Sequence, residues 1–217
     1  RKLERVNGIS VPPTQIACGP GGVGVIAATM ATLVEPGDEV LTPDPGWPNT
    51  SIMVAWAHGR EVRYACPPEL EFQPDLDALE RLVTPRTKVL LVNSPSNPTG
   101  CVFTRKAMQA LVEFAQRHDL YLIGDEVYEE IIFEGEHVSP YTLTDDPRVI
   151  SVFSFSKTYA MTGWRLGYLV ASEEIVANCN KVQEGYVACA SAISQKAAEA
   201  ALTGPQTCVA DMRAAYQ

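Results

Sequence analysis

The sequence predicts an α/β fold: a mostly parallel central sheet with helices on both faces. Short apolar runs typical of strands alternate with segments of helical periodicity between residues 14 and 171, and such repeats build parallel sheets that are covered on both sides. The composition is globular, with 46% hydrophobic and 20% charged residues. A chain of 217 residues can bury a full core. We therefore expect one domain over residues 1–217.

The elements of the first half follow from apolar patterning. Strands are predicted at residues 14–18, 39–42, 61–64 and 88–93, and helices at 22–34, 47–57, after Asp75 and after Thr104. Asp75 is expected to cap its helix with its own carboxylate. The helix after Thr104 has one apolar face, formed by Met108, Leu111, Val112 and Ala115.

The second half continues the alternation and then becomes helical. Strands are predicted at 120–124, 149–155 and 166–171, followed by an Ala-rich helical region at 173–202 that breaks near Gly185. The sheet should end before that region, and Gly204-Pro205 is the one late boundary candidate. Because the chain starts with Arg1 and has no leader pattern, we expect it to be truncated at both ends.

Charge and composition argue against several classes of partner. The net charge is -9 and no stripe of Lys and Arg is present, so nucleic acid is not an expected partner. The longest apolar stretch, 23–34, is interrupted by polar residues and is shorter than the roughly 20 residues of a membrane span. The six cysteines form no C-x-x-C pair, so we expect no metal site and a cytoplasmic protein.

A glycine-rich segment, Gly19–Gly24, follows a predicted strand and opens a predicted helix. Its amides and the positive end of the helix would face an anion, which indicates a phosphate-binding loop. The segment also fits the G-x-G-x-x-G pattern of dinucleotide-binding folds, with Asp44 where such folds place a ribose-binding acid. A tight turn without any ligand is the third interpretation.

Two further polar groups follow predicted strands. Asn97 lies in a loop rich in Pro and Gly after strand 88–93; a plain loop would explain the prolines, but not an amide donor at the carboxyl end of a strand. Asp125 directly follows strand 120–124, and Tyr128 would share its face in one helical turn. The alternative for Asp125 is a helix cap.

Lys157 stands between Ser154 and Arg165, after the strand that begins at Val149. A lysine at the edge of an apolar core is a candidate nucleophilic amine, and a rim lysine without a catalytic role is the alternative. One ligand could touch all four segments. Pyridoxal 5'-phosphate has the matching parts, since it carries a phosphate, a phenolic oxygen, a pyridine nitrogen and an aldehyde.

Taken together, the segments resemble the class I and II aminotransferases, the aspartate-aminotransferase-like enzymes of fold type I. The resemblance covers about Pro13 to Leu202 and rests on Ser-Pro-Ser-Asn-Pro-Thr-Gly, Gly-Asp-Glu-Val-Tyr and Ser-Phe-Ser-Lys-Thr-Tyr-Ala-Met-Thr-Gly-Trp-Arg. It implies the large domain of an enzyme that uses pyridoxal 5'-phosphate to move an amino group between an amino acid and a 2-oxo acid. It also implies a homodimer.

The resemblance implies a role for each site residue. Lys157 would be the Schiff-base lysine that also shuttles a proton, and Asp125 would keep the ring nitrogen protonated. Tyr128, the third catalytic residue, and Asn97 would bind the phenolic oxygen. The other cofactor contacts would come from Ser154, Arg165, the amides of Gly22, Val23 and Gly24, and Trp47 stacked on the ring.

The chain departs from the family pattern in two ways. Relatives often carry a hydroxyl, Lys or Gln side chain where this chain has Val23 or Gly24, so phosphate binding should depend more on Ser154 and Arg165. Relatives bind the substrate carboxylate through an arginine of a small carboxyl-terminal domain, which we expect to lie outside these 217 residues. We therefore expect the 217-residue chain to be inactive by itself.

Three alternative functions remain. A β-lyase or a cyclising enzyme would use the same residues, because the same carbanion precedes each outcome. A non-catalytic pyridoxal-phosphate sensor of a transcription regulator would keep Lys157, but such domains usually lose the Asn-Pro-Thr-Gly and Asp-Glu-Val-Tyr sequences that are intact here. A dinucleotide-binding oxidoreductase would explain only the glycine loop and Asp44.

Overall fold

The computed structural model describes residues 1–217 and places seven strands in one sheet. The strands are β1 (Ile16–Gly19), β2 (Glu39–Asp44), β3 (Arg60–Ala65), β4 (Thr87–Asn93), β5 (Tyr121–Asp125), β6 (Val149–Ser154) and β7 (Gly167–Val170). Their spatial order is β1-β7-β6-β5-β4-β2-β3. The pairs β3–β2, β2–β4, β4–β5 and β5–β6 are parallel, and β7 is antiparallel to both β6 and β1. The predicted mostly parallel α/β sheet is confirmed.

Eight α-helices accompany the strands. They are α1 (Gly21–Leu33), α2 (Asn49–Trp56), α3 (Leu76–Glu80), α4 (Arg105–Arg117), α5 (Phe155–Thr158), α6 (Glu173–Tyr186), α7 (Ala192–Thr203) and α8 (Thr207–Tyr216). Asp75 caps α3 and Thr104 caps α4, each accepting a hydrogen bond from the amide three residues on. None of the helices combines the length and the apolar character that crossing a bilayer requires.

The central strands β4, β5 and β6 are buried on both faces, as expected for parallel strands covered by two helical layers. Along β4, Val89 and Leu91 pack into a cluster with α1, α2 and α6, while Leu90 and Val92 pack into a second cluster with α3 and α4. The apolar face predicted for α4 lies entirely in that second cluster. Burial of these side chains from water fixes the two helical layers on the sheet.

The reversal at β7 decides where the functional groups meet. Because β7 is antiparallel to both neighbours, β1 points in the same direction as β4, β5 and β6. The carboxyl ends of these four strands and the start of β7 therefore lie at one edge of the sheet. Open α/β sheets bind their ligands at this edge.

The strand order contradicts the dinucleotide-binding alternative. In that fold the strand after the glycine loop lies beside the first strand. Here β2 lies between β4 and β3, and β7, β6, β5 and β4 separate it from β1. Asp44 at the end of β2 is exposed and lies 3.9 Å from Arg63. It is thus removed from the glycine loop and cannot share a ligand with it.

Candidate active site

A cavity of about 280 Å³ opens at the carboxyl edge of the sheet. It brings together nine of the ten residues predicted from the sequence: Gly22, Val23, Trp47, Asn97, Asp125, Tyr128, Ser154, Lys157 and Arg165. The exception is Gly24, which does not line the cavity. A Cβ at Gly24 would lie 2.5 Å from the Pro20 Cγ, so this glycine allows the loop to pack closely on the helix.

The amino end of α1 is an open anion-binding surface. The helix starts directly after β1, and its N-cap residue Pro20 has no side chain that accepts from the first-turn amides. These N–H groups have no partner within the helix and carry its positive partial charge. Gly21 has φ of +80°, and a Cβ there would lie 2.5 Å from the Arg165 Nη2. The glycine therefore gives the guanidinium access to the helix end.

Arg165 and Ser154 complete this surface. The Arg165 guanidinium donates to the carbonyl oxygen of Thr162 at 2.8 Å and to that of Pro20 at 3.5 Å, which holds it across the amino end of α1. Ser154 is buried at the end of β6, and its hydroxyl accepts from the Ser156 amide at 3.1 Å. A cation, a hydroxyl and free amides thus face one space, a combination that suits a phosphate.

Asp125 ends β5 and is buried in the cavity wall, with 5% of its surface exposed. Burial raises the pKa of its carboxyl group to about 7, an effect opposed by the Val127 amide and the Lys157 charge and reinforced by Glu126. Its Oδ1 has no hydrogen-bond partner. A buried carboxylate oxygen without a partner is costly, so the site suits a cationic or proton-bearing ligand.

The backbone after Asp125 differs from the prediction. No helix begins there, so the helix-cap alternative is wrong. The Glu126 amide donates to the Val152 carbonyl at 2.9 Å, which extends the pairing of β5 with β6 by one residue and delays the turn. Tyr128 lies in that turn rather than in a helix. It still lines the same cavity as Asp125.

Tyr128 and Asn97 meet across the cavity. The Asn97 side-chain amide nitrogen lies 3.5 Å from the Tyr128 hydroxyl, so both could bind one oxygen atom of a ligand. Asn93, which the sequence analysis did not single out, fixes this arrangement. Its side chain accepts from the Asn97 amide at 2.7 Å and donates to the Asp125 carbonyl at 3.1 Å. Its place at the end of β4, ahead of the loop, was the available signal.

Lys157 is half-buried in α5, and its Nζ lies 5.4 Å from the centroid of the Tyr128 ring. Two hydrogen bonds fix the first turn of the helix that carries it. Ser154 caps its start, and the Thr162 hydroxyl donates to the Ser156 carbonyl at 3.0 Å. Ser156 and Thr162 also line the cavity and were not predicted, although both lie in the segment around Lys157.

Comparison with known proteins agrees with this geometry. The profile of the family aminotransferase class I and II matches residues 1–217. The chain is 38% identical over 205 residues to the aspartate/prephenate aminotransferase of Thermus thermophilus, covering 94% of this chain and 53% of that protein. It is 37% identical over 217 residues to a probable aspartate aminotransferase of Methanocaldococcus jannaschii, covering 97% and 57%.

A solved structure gives the same result. The aspartate aminotransferase from Rhizobium meliloti superimposes with a TM-score of 0.96 at 35% identity, covering 100% of this chain and 55% of that one. The chain spans about half the length of the curated relatives it matches. On the sequence match and the shared fold, the chain belongs to the class I and II aminotransferase family.

Proposed function

We propose that this chain binds pyridoxal 5'-phosphate and serves the transfer of an amino group between an amino acid and a 2-oxo acid. The observation that carries the proposal is Asp125, a buried carboxylate whose Oδ1 has no partner. It shares one cavity with the Lys157 amine and with the anion-binding end of α1. A ligand with a cationic ring, an aldehyde and a phosphate would satisfy all three groups.

Several features of the cavity fit this cofactor. The Asp125 carboxylate would hold the proton of the ring nitrogen, which compensates the cost of burying its charge. Arg165, Ser154 and the amides of Gly22 and Val23 would bind the phosphate. A Cβ at Gly22 would lie 3.1 Å from the Val127 Cγ1 and 3.5 Å from the Ser154 Cβ, so a larger residue would occupy the space that the phosphate needs.

The remaining roles follow from the chemistry of each side chain. Bound pyridoxal 5'-phosphate supplies an aldehyde that condenses with amines and a protonated ring that withdraws electrons from the substrate α-carbon. Lys157 would bind the aldehyde through Nζ and later carry the proton that leaves the α-carbon. Tyr128 and Asn97 would donate to the phenolic oxygen, and half-buried Trp47 would cover one face of the ring.

The experiment uses purified protein and two readouts. Titration with pyridoxal 5'-phosphate should give a saturable visible band in the 217-residue chain and in a Lys196→Ala control, since Lys196 is exposed and pairs with Glu199. The band should be absent in Lys157→Ala. The loaded full gene product should then convert aspartate, the donor that relatives' names suggest, into its oxo acid with the cofactor left in its amine form.

Two results would contradict the proposal. If the parent chain shows no saturable band, it does not bind the cofactor. If the loaded gene product releases ammonia from aspartate or other amino acids and leaves the cofactor in its aldehyde form, the reaction is elimination, as in a β-lyase.

We also propose the wider setting of this activity. A single sheet that spans residues 16–170 supports one cofactor-binding domain over residues 1–217. Ile52 and Trp56 on α2 are 67% and 56% exposed, which supports a homodimer that covers them. All six cysteines are free thiols, which supports a cytoplasmic protein. Light scattering of the full gene product at dilutions around micromolar would test the dimer.

A further inference from the structure

The turn after β5 presents its side chains to two different surroundings. Asp125 and Tyr128 line the cavity. Glu126 and Glu129 do not line it, and their side chains are only 1% and 2% exposed. Two buried carboxylates close to the Asp125 carboxylate destabilise the folded state unless each has a partner of opposite charge. The structure supplies a basic partner for each, from the following loop for Glu126 and from the start of the chain for Glu129.

Glu126 is bound by the loop that follows the turn. Its Oε2 lies 2.7 Å from the His137 Nε2, and its Oε1 accepts from the Ser139 hydroxyl at 2.9 Å. Burial lowers the pKa of His137, but the hydrogen bond and charge of Glu126 outweigh burial, so the pKa is raised. Glu126 thus favours the protonated imidazole of His137 by more than burial disfavours it.

Glu129 is bound by the amino-terminal segment. Its two carboxylate oxygens accept from the Lys2 ammonium and the Asn7 side-chain amide. The Lys2 side chain is 6% exposed, also donates to the Asn7 Oδ1 at 2.9 Å, and lies 4.9 Å from the centroid of the Phe153 ring on β6. The contact joins residues 127 positions apart in sequence. It ties the start of the chain to the turn that carries Tyr128.

We propose that Glu129, held by Lys2 and Asn7, is a positioning residue for the Tyr128 hydroxyl, with the Glu126–His137 pair fixing the Asp125 side of the same turn. This inference rests on the proposed function. Tyr128 lies between the two anchored glutamates in sequence, so both anchors restrain its backbone. Loss of the Glu129 anchor would let the hydroxyl move away from the ligand oxygen it shares with Asn97, and displacements near 1 Å already weaken such contacts strongly.

The test replaces the buried ion pair without leaving a single buried charge. Lys2→Met alone would leave Glu129 without a cation and would destabilise the fold strongly. The primary variant therefore combines Lys2→Met with Glu129→Gln, and Lys2→Arg is the conservative variant that keeps the pair. Glu39→Gln is the matched control, because Glu39 is buried and bound by Arg60 and Thr84 at the opposite edge of the sheet.

Three quantities are measured on the 217-residue chain: the urea midpoint, the affinity for pyridoxal 5'-phosphate, and the pH at which its visible band changes. The double variant should bind about tenfold more weakly, equivalent to about 1.4 kcal/mol. Its band should change at higher pH, because a displaced Tyr128 donates less to the phenolic oxygen. Lys2→Arg should keep the affinity and the band pH of the parent, and Glu39→Gln should lower only the urea midpoint.

The outcomes separate this inference from the function on which it rests. If the parent binds the cofactor and the double variant matches it in affinity and in band pH, Glu129 has only a structural role and the inference is wrong. If Glu39→Gln changes both quantities as much as the double variant does, general loss of stability explains the effect, and the inference is again wrong. If the parent itself fails to bind, both proposals fall.

Discussion

Replacing Asp125 with asparagine should stabilise the protein without cofactor, and the gain should grow with pH. The carboxyl group is buried and Oδ1 has no partner, so ionising it in the folded protein is unfavourable. The folded state holds the proton up to a pH of about 7, whereas the unfolded chain releases it near the ordinary value of 3.8. Between these values the folded state binds more protons, so the stability of the parent falls as pH rises.

The size of the effect follows from the two pKa values. Their difference of about three pH units corresponds to about 4 kcal/mol at 1.36 kcal/mol for each unit. Measurements should avoid the isoelectric point of about 4.8. Between pH of about 5.5 and 8.5, the stability of Asp125→Asn relative to the parent should therefore rise by about 2 kcal/mol. Asparagine does not titrate, so the effect of its amide on stability is the same at every pH. It therefore does not contribute to the change across this pH range.

Urea unfolding of both proteins across that pH range measures the difference directly. Saturating pyridoxal 5'-phosphate should make the parent more stable than Asp125→Asn at high pH, because the parent then gains an ion pair that Asp125→Asn cannot form. A stability difference that stays constant within about 0.5 kcal/mol over the range would refute the assignment of Asp125 as a buried, uncompensated carboxylate.

Three further substitutions separate cofactor binding from folding. Arg165→Gln should weaken pyridoxal 5'-phosphate binding by about 10- to 100-fold, because it removes a charged hydrogen bond to the phosphate. Binding of pyridoxal, which has no phosphate, should not change. Equal losses of affinity for both ligands would show that the phosphate binds elsewhere. Gly21→Ala should lose about 1–2 kcal/mol of stability, because Gly21 has φ of +80° and the new Cβ would lie 2.5 Å from the Arg165 Nη2. The same variant should bind phosphate poorly in calorimetry. Thr104→Ala removes the cap of α4 and should cost about 1 kcal/mol in urea without changing cofactor affinity.

Much of the fold could be predicted because local patterns determine it. Continuous apolar runs such as Val89–Val92 indicate strands covered on both faces, and the spacing of Met108, Leu111 and Ala115 indicates the buried side of α4. The groups that end β1, β4, β5 and β6 were predicted to converge because parallel strands share one edge. The structure places them around one cavity.

The features that escaped prediction depend on contacts between distant residues. The strand order cannot be read from local sequence, so Asp44 remained a candidate until the position of β2 removed it. Asn93 acts through bonds to Asn97 and to the Asp125 carbonyl, 32 positions away. The spacing of Asp125 and Tyr128 predicts a helical turn, because spacing alone does not show that Glu126 continues the pairing with β6.

The most direct test of the account is to identify the residue that binds the cofactor covalently. The 217-residue chain is loaded with pyridoxal 5'-phosphate, reduced with borohydride, digested and analysed by mass spectrometry. The label should lie on Lys157, whose amine lines the cavity with Asp125 and Arg165. Label on Lys181 or Lys196, or no stable label on any lysine, would contradict the assignment of this cavity as the active site.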